Sequence, residues 1–374
     1  MSADHLHIIS LDVPYPADYG GVIDIFYKLK ALHACGVKIQ LHCYQSTRQQ
    51  AKELEQYCES VHYYPRTKSL DRFLGPLPFI VQSRSSELLR SRLMQDEAPI
   101  LMEGLHSTFL LSDPAFFRRK CIVRTHNVEH DYYKGLSDVE SRSIKRWYLR
   151  LEARRLKRYE PVLMKASSIA AISPEDTSYF NGKYGNTFYL PAFHPFDRVE
   201  IDPAADDFAF YHGNLAVGEN NRAALFLVKE VFSDLPYRLI IAGSRPSAEL
   251  RNAVAGHSNV QLLDSLSPAE IHRHISRAKV NVLPTFQSTG IKLKLLAALF
   301  CGKTCLVNSP MVQDTGLETL CNIEDGSVGF KRALTEIFSH DAWHPEQVEE
   351  RKRVLESMFS NKANAMALKS RLFG

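Results

Sequence analysis

The sequence lacks several features that would assign a chain of 374 residues to a class directly. Its seven cysteines form no Cys-x-x-Cys pair, which disfavours a zinc site and is typical of reduced thiols in the cytoplasm. No apolar run reaches about 18 residues, the length that a membrane-spanning helix needs. The start, MSADHLHIIS, also lacks the charged and apolar regions of a signal peptide. We therefore expect a globular cytoplasmic protein.

A strong net charge is absent as well. The chain has 46 lysines and arginines against 42 aspartates and glutamates, a formal charge of +4. This small excess disfavours a nucleic-acid partner and fits anionic small ligands. The segment 142–160 combines eight lysines and arginines with Trp147. A solvated helix is the favoured interpretation of this segment, and peripheral contact with anionic lipid at the inner membrane face stays open.

Short apolar and β-branched runs alternate with helical patterns along the chain, which predicts an α/β protein with parallel sheets. The predicted strands are 6–10, 37–44, 60–64, 99–103, 121–125, 168–172, 208–212, 237–242, 260–263, 280–284 and 304–307. Predicted helices between and after them include 22–34, 222–232, 291–300 and 344–373.

The alternation breaks at residues 190–207, which contain Pro191, Pro195 and Pro203. We interpret this stretch as the link between two Rossmann-like domains. The expected domains are 1–196 and 197–345, with a helical segment 346–374 that crosses back onto the first domain.

The first candidate site is the segment VPYPADYGG, which follows the first predicted strand and ends with Gly20 and Gly21. Glycines at the start of a helix expose backbone N–H groups, and these favour anions. The segment lacks the Gly-x-Gly-x-x-Gly pattern, so a nicotinamide dinucleotide site is disfavoured. A tight turn in which glycine supplies a positive φ explains the pair equally well.

A histidine follows the fifth predicted strand, in the segment RTHNVEHDYY. Open α/β sheets bind ligands beyond the carboxyl ends of their strands, which makes His126 a candidate site residue. Arg124, two residues earlier, is suited to face a charged group. A structural role for the histidine is an equally weighted alternative.

In the second half, the segment HGNLAVGENN begins at His212. We assign Gly213 and Asn214 of this loop to donor or phosphate binding. Asn220 or Asn221 is the expected N-cap of the following helix, whose first N–H groups could hold phosphate. Simple helix capping is the alternative.

The segment LPTFQSTGIKLKLLAALFCG contains a second group of candidate phosphate-binding residues. Ser288 or Thr289 is expected to cap a helix, and Gly290 permits close approach of a ligand. Lys292 and Lys294 lie in the first turns, where a cation opposes the helix dipole unless an anion binds there. Alternatively, both lysines extend into solvent.

Taken together, these segments resemble retaining GT-B glycosyltransferases of the large group that includes sucrose synthases and phosphatidylinositol mannosyltransferases. The resemblance extends over nearly the whole chain. It depends on the order and spacing of YPADYGG, RTHNVE, AAISPEDTSYF, YHGNL, LIIAGS and VLPTFQSTGIKLKLLAAL.

The resemblance implies two facing Rossmann-like domains, an N-terminal one for the acceptor and a C-terminal one for a nucleotide sugar. It implies transfer of a hexose with retention to a glycan or lipid-linked acceptor, with no cofactor and no metal ion. Gly20 and Gly21 match the family's glycine-rich loop, and His126 matches the histidine near the donor sugar. Lys294, with Ser288, Thr289 and Gly290, matches positions that approach the donor's sugar and phosphates.

The sequence departs from this family at the Glu-x7-Glu pattern, whose two positions are Thr289 and Ala297. Asn214 and Asn220 occupy the place of a basic pair. These replacements keep open a second function, that of a non-catalytic glycosyltransferase-like binding or partner protein. A nucleotide-sugar epimerase is disfavoured, since no acidic pair suited to proton transfer is evident.

Overall fold

The computed structural model describes residues 4–140, 142–202, 204–286, 293–340 and 346–374. The chain divides into two compact units. The first unit comprises Met1–Pro195 and Phe359–Gly374, and the second unit comprises Phe196–Met358. Among the described residues, no helix combines the length and the apolar character needed to cross a membrane.

Parallel strands form one sheet in each unit. The strands are β1 His5–Ser10, β2 Lys38–Gln45, β3 Ser60–Pro65, β4 Ile100–Glu103, β5 Cys121–Thr125, β6 Ser168–Ala171, β7 Thr187–Tyr189, β8 Asp206–His212, β9 Arg238–Ala242, β10 Val260–Leu263, β11 Ala278–Leu283, β12 Thr304–Val307 and β13 Asn322–Ile323. The strand order is β3-β2-β1-β4-β5-β6-β7 in the first unit and β10-β9-β8-β11-β12-β13 in the second.

Helices connect the strands. They are α1 Gly20–Ala34, α2 Leu70–Leu74, α3 Phe79–Gln82, α4 Glu87–Leu93, α5 Glu129–Val139, α6 Ser143–Tyr159, α7 Pro174–Tyr184, α8 Gly218–Phe226, α9 Ala248–Ala255, α10 Pro268–Arg277, α11 Leu293–Cys301, α12 Ser309–Val312, α13 Gly326–Ser339, α14 Glu346–Met358 and α15 Asn361–Phe373. Short 3-10 helices span Lys52–Gln56, Leu105–Ser107, Phe109–Ser112, Pro114–Phe116, Glu160–Lys165 and Glu318–Leu320, and a π-helical segment spans Leu227–Val231.

The first sheet is buried on both faces because successive side chains of a strand point to opposite sides. Ile8 of β1 packs in the apolar cluster that contains Ile25 and Leu29 of α1. Ile9, the next residue, packs in the cluster on the other face with Met102 of β4. Burial on both faces explains why strands β4 and β5 each begin with three consecutive apolar residues.

The last helix belongs to the first unit. Leu368 and Leu372 of α15 are buried in the same cluster as Leu29 of α1, and Lys369 donates a hydrogen bond of 2.8 Å to the carbonyl of Cys35. The polypeptide therefore completes the outer layer of its N-terminal unit with residues from its C-terminal region.

Helix α14 belongs to the second unit, so the returning segment is shorter than the expected 346–374. Arg351 is buried and donates to the carbonyls of Gly302 and Lys303, at 2.6 Å each. The Glu356 carboxylate accepts from the backbone N–H of Val199 at 3.0 Å. These bonds hold α14 to the second unit, and the return to the first unit begins at Phe359.

Several predicted element boundaries differ from the structure. Strands β7 and β13 are not predicted from the sequence because both are short and neither contains a buried residue. Helix α8 begins at Gly218 with Val217 as N-cap, so the expected N-cap at Asn220 or Asn221 is wrong. Both asparagines lie within the helix, where Asn220 bonds to the loop that precedes it.

Candidate functional site

A buried network of opposite charges lies beneath the carboxyl edge of the first sheet. The Lys28 ammonium of α1 donates to Asp24 at 2.8 Å and to Glu103, the last residue of β4, at 2.7 Å. The Arg124 guanidinium of β5 donates to both oxygens of Asp24, at 3.1 and 2.9 Å. All four side chains are at most 1% exposed. Arg124 thus faces a charged group, as the sequence suggested.

The two acids of this network are held ionised. Burial by itself raises the pKa of Asp24, but Arg124 and Lys28 more than offset it, so the pKa lies well below its ordinary value. Burial likewise opposes ionisation of Glu103, and Lys28 and His126 bring its pKa below the ordinary value. Paired, hydrogen-bonded charges of this kind are the form in which burial is tolerated.

His126 lies at the exposed end of the network. Its Nε2 is 3.0 Å from Glu103 Oε2 and 4.0 Å from Asp24 Oδ2, and 9% of its side chain is exposed. Because Glu103 is ionised and can only accept, Nε2 carries the proton that this hydrogen bond needs. In the neutral ring, Nδ1 is then left with a lone pair that can accept a hydrogen bond.

Gly21 leaves that nitrogen uncovered. A Cβ built on Gly21 would lie 3.6 Å from Nδ1 of His126, whereas no described atom lies within 4 Å of a Cβ built on Gly20. The predicted glycine pair and the predicted histidine therefore meet at one place. Neither glycine belongs to the positive-φ set of the described residues, so the explanation by a positive-φ turn is wrong.

The start of α1 is open to a ligand. Tyr19, its N-cap residue, is extended and provides no side-chain hydrogen bond to the first turn, which also contains no acidic residue. The N–H groups of Gly20, Gly21 and Val22 accordingly point away from the helix with the positive end of its dipole. An anion close to His126 would find these donors available.

Asp24, Glu103 and His126 can be considered as ligands for a metal ion, since one oxygen or nitrogen atom of each lies within 4.8 Å of the others. The Lys28 ammonium, however, already bonds to both carboxylates. It supplies the positive charge that a metal ion would supply. This donor set therefore fits a structural ion network rather than a metal site.

In the second unit, the loop after β8 brings together Gly213, Asn214 and the start of α8. The amide of Asn220 donates to the Asn214 carbonyl at 3.0 Å, and Asn214 Oδ1 accepts from the N–H of Ala216 at 3.1 Å. A Cβ built on Gly213 would lie 3.1 Å from the Asn220 side chain. Asn214 and Asn220 therefore act as loop-closing residues in the place where relatives have a basic pair.

Lys294 of α11 reaches the same loop. Its Nζ donates to Asn220 Oδ1 at 2.8 Å and to Tyr211 Oη at 3.3 Å, and it lies 4.9 Å from the centre of the Tyr211 ring. Burial, with the nearby Lys294, lowers the pKa of His212 to about 3. The structure thus brings Gly213, Asn214 and Lys294 together in one part of the second unit.

Three predicted site residues, Ser288, Thr289 and Gly290, lie outside the described residues. Ala297, the position of the second family glutamate, is in α11 and is 9% exposed. Next to this region, the Thr285 hydroxyl donates to Glu219, and Thr285 exchanges two backbone hydrogen bonds with the Asn308 side chain.

Sequence reasoning missed several titratable groups at the edge of the first sheet. Glu129, at the start of α5, is buried, and burial together with Asp176 raises its pKa to about 8. Its carboxylate lies 3.8 Å from Nδ1 of His106, whose pKa burial holds well below the ordinary value. Their positions after β4 and β5 were the available signal, since ligands of such sheets bind there.

Comparison with known proteins gives a family match within the second unit. Residues 208–339 match the family described as glycosyl transferases group 1. This part of the chain is therefore similar to group 1 glycosyltransferase domains. The match includes the loop after β8, with Gly213 and Asn214, and the helix that contains Lys294.

Across most of its length, the chain is 26% identical to an uncharacterized 44.6 kDa protein in the cps region of Klebsiella pneumoniae. The similarity extends over 310 residues, 78% of this chain and 79% of the relative.

Solved structures give the fold. Sucrose-phosphate synthase from Thermosynechococcus elongatus matches with a TM-score of 0.73 at 17% identity and covers 98% of both chains. WaaG, a glycosyltransferase involved in lipopolysaccharide biosynthesis, matches with a TM-score of 0.67 at 11% identity over 99% of this chain and 100% of its own. Anabaena HepE, solved with UDP and glucose, gives 0.67 at 11% identity over 98% and 99%. The fold is GT-B, as predicted.

Proposed function

We propose that the protein transfers a hexose, with retention and without a metal ion, from a nucleotide-diphosphate sugar to a glycan or lipid-linked acceptor. The observation that carries the proposal is the pairing of Gly21 with His126 at the start of α1, in a chain whose second unit matches the family of group 1 glycosyl transferases over residues 208–339.

Donor binding is assigned to the second unit. Lys294, held by Asn220 and Tyr211, is a fixed cation suited to the diphosphate. Gly213 and Asn214 border it, and Ser288, Thr289 and Gly290 are proposed to complete the subsite. The solved structure of Anabaena HepE with UDP and glucose supports a nucleotide sugar as donor.

In this proposal the departing diphosphate is stabilised by fixed positive charge. The Lys294 ammonium of the second unit provides that charge in place of a metal ion, and the N–H groups at the start of α1 are suited to an anionic group at the first unit. Because these donors are held before substrate binds, little reorganisation is needed as negative charge develops on the leaving group. No nucleotide cofactor beyond the donor itself is required.

His126 orients the donor sugar. Its Nδ1 accepts a hydrogen bond from a sugar hydroxyl, while Glu103 and Lys28 keep the ring oriented through Nε2. Positioning of this kind contributes to rate through the geometry of the reacting groups.

The acceptor is proposed to be a cell-surface glycan or its lipid-linked precursor. Support comes from WaaG, a glycosyltransferase involved in lipopolysaccharide biosynthesis, and from the relative in the cps region. Helix α6 presents Ile144 and Trp147, 86% and 60% exposed, among exposed basic residues. This surface is suited to peripheral contact with anionic lipid.

A donor panel tests the proposal. The purified protein is mixed with UDP-, GDP- and ADP-hexoses in the presence of EDTA, and binding is measured by calorimetry while nucleoside diphosphate release is followed over time. We expect binding and slow release with one donor, and retention is then checked by NMR of the product's anomeric proton. A requirement for added divalent metal, or an inverted product, would contradict the corresponding part of the proposal.

A second function is favoured by one observation. Ala297 in α11 cannot accept hydrogen bonds from ribose hydroxyls, and neither it nor Thr289 supplies the carboxylate that the family pattern has there. The chain would then be a non-catalytic binding or partner protein. Glycan binding without any nucleotide binding in the donor panel would support this second function over the first.

A further inference from the structure

Positive charge at the carboxyl edge of the first sheet is not neutralised by the described residues. Arg84 is 5% exposed, and its guanidinium donates to two neutral backbone carbonyls, those of Leu11 at 2.9 Å and Ile80 at 2.6 Å. Within the described ranges, no carboxylate oxygen lies within 4.0 Å of it, and Nη2 has no acceptor. A buried cation without a counter-ion costs several kcal/mol, so Arg84 points to an anion that the chain itself does not provide.

A second guanidinium faces the same place. Arg66, which follows β3, donates through Nε to the Ser83 hydroxyl at 3.0 Å and stacks 5.8 Å from the centre of the Phe79 ring. For its two Nη atoms, the described part of the chain offers neither an acceptor nor a carboxylate. Burial, and then the nearness of Arg66, lower the pKa of Arg84 to about 10. The two charges therefore lie close enough to oppose each other.

The surrounding acids, Asp12, Glu129 and Glu152, do not balance this pair. Burial raises the pKa of Glu152, and its carboxylate interacts with Arg155 as well as with Arg66. Burial raises the pKa of Asp12, which Arg48, Arg84 and Arg66 all oppose, and its carboxylate accepts from the Val13 N–H at 2.9 Å. Arg48 is paired with Asp18 instead. Burial, with Asp176, raises the pKa of Glu129 to about 8, which favours its neutral form at neutral pH. At least one positive charge is left for a ligand.

The number of donors favours phosphate over carboxylate. Nη2 of Arg84 and both Nη atoms of Arg66 are available, and each carries two hydrogens. A phosphate monoester has three terminal oxygens and nearly two negative charges at pH 7. A carboxylate has two oxygens and one charge, and would leave part of this donor set without acceptors.

The place is adjacent to the proposed catalytic region. Leu11, which binds Arg84, follows β1, and His106 follows β4 at the same sheet edge as His126. Nδ1 of His106 is buried without a hydrogen-bond partner. Besides burial, Arg84, His126 and Arg66 all lower the pKa of His106, so the two arginines and the candidate site histidine all lie near His106.

We propose that the first unit binds a phosphate group of the acceptor between Arg66 and Arg84, beside His106. This inference rests on the proposed function and narrows its acceptor to phosphorylated ones. The phosphate belongs to a sugar phosphate or to a lipid-linked phosphate, which share the group that the arginines recognise.

The test compares two variants of the full chain. Arg66→Gln removes one of the two guanidinium groups without touching the Leu11 and Ile80 contacts, and Lys294→Ala removes the proposed donor cation. Binding of inorganic phosphate and of glucose 6-phosphate is measured by calorimetry, beside binding of the preferred nucleoside diphosphate. We expect Arg66→Gln to weaken both phosphate ligands by about tenfold or more and to leave the nucleoside diphosphate unchanged, with the reverse pattern for Lys294→Ala.

A matched control and two further ligands complete the design. Arg90→Gln removes an arginine of the same unit that already has a carboxylate partner, Asp113, and should leave phosphate binding unchanged. Binding of decyl phosphate micelles but not of glucose 6-phosphate would identify a lipid-linked source, and the opposite result a soluble one. Equal binding of glucuronate, or parental phosphate affinity in folded Arg66→Gln, would overturn the inference. If the proposed function itself is wrong, the parent protein will bind no nucleoside diphosphate, whatever the result with phosphate.

Discussion

The substitution Gly21→Ala adds one methyl group and should lower activity without lowering stability. The Cβ of Gly21→Ala would lie 3.6 Å from Nδ1 of His126 and 3.7 Å from the Tyr19 ring, which are ordinary van der Waals contacts. Alanine also loses less backbone entropy in a helix than glycine. We therefore expect the variant to fold, with a free energy of unfolding equal to the parent's or higher by up to about 1 kcal/mol.

The same methyl group covers the nitrogen that is proposed to accept a hydrogen bond from the donor sugar. Loss of such a bond costs about 0.5–1.5 kcal/mol, and about 1.4 kcal/mol corresponds to a factor of ten in rate or affinity. We expect kcat/KM of Gly21→Ala to fall by up to about tenfold. Urea denaturation measures the first quantity, and nucleoside diphosphate release with acceptor measures the second.

Gly182→Ala is the matched control. Gly182 lies within α7, and no described atom lies within 4 Å of a Cβ built on it. This variant should gain similar stability and keep parental activity. Parental kcat/KM in Gly21→Ala, with the control behaving as expected, would refute the role of Nδ1; a marked loss of stability would refute the geometry itself.

Four further outcomes are expected. Lys28→Met should lower the free energy of unfolding at pH 7 by about 3–5 kcal/mol, since buried Glu103 loses its cationic partner while Asp24 keeps Arg124; a loss in urea denaturation that does not shrink at low pH, where Glu103 of the variant takes up a proton, would contradict this. Lys294→Ala should weaken a ribonucleoside diphosphate about tenfold or more and the nucleoside little; equal affinities by calorimetry would return the lysine to a structural role. Ala297→Glu should tighten the ribonucleoside diphosphate by about 1 kcal/mol and its 2′-deoxy analogue by less; a folded variant with no gain for either would favour the binding-protein function. Because burial and Asp176 raise the pKa of Glu129 to about 8, the unfolded state ionises first, and stability should fall between about pH 5 and 8; Glu129→Gln should flatten this decline, and identical pH profiles would speak against it.

The strands that form both sheets are largely predictable from the sequence. Strands β5, β10 and β12 have the bounds expected from their apolar runs. In β5 and β12 all or most positions are buried, and consecutive apolar residues such as Ile122 and Val123 mark such strands in the sequence. Strands β7 and β13 lie at the sheet edges and contain three and two residues. Such short, partly exposed segments have no hydrophobic pattern by which to recognise them.

The sequence predicts the residues at the outer part of the candidate site, but it does not reveal the buried charges beneath them. Gly21 and His126 follow strands or begin a helix, and the general placement of ligands at the carboxyl edge identifies them. Asp24 and Lys28 are spaced four residues apart on α1, a pattern typical of a solvent-exposed ion pair. Their burial depends on Glu103 and Arg124, which are distant in sequence, so no local pattern reveals it.

The chain passes from the first unit to the second and back again, and this determines the order in which the units are completed during synthesis. The second unit is continuous, from Phe196 to Met358, whereas the first unit needs residues from Phe359 onward. A ribosome therefore makes every residue of the second unit before it makes α15, the helix that packs on α1. Domains are usually finished in order from the N-terminus during synthesis; here the N-terminal unit is completed last. A stop codon after Met358 would leave the second unit complete. The first unit would lack α15, so the apolar side of α1 would be exposed.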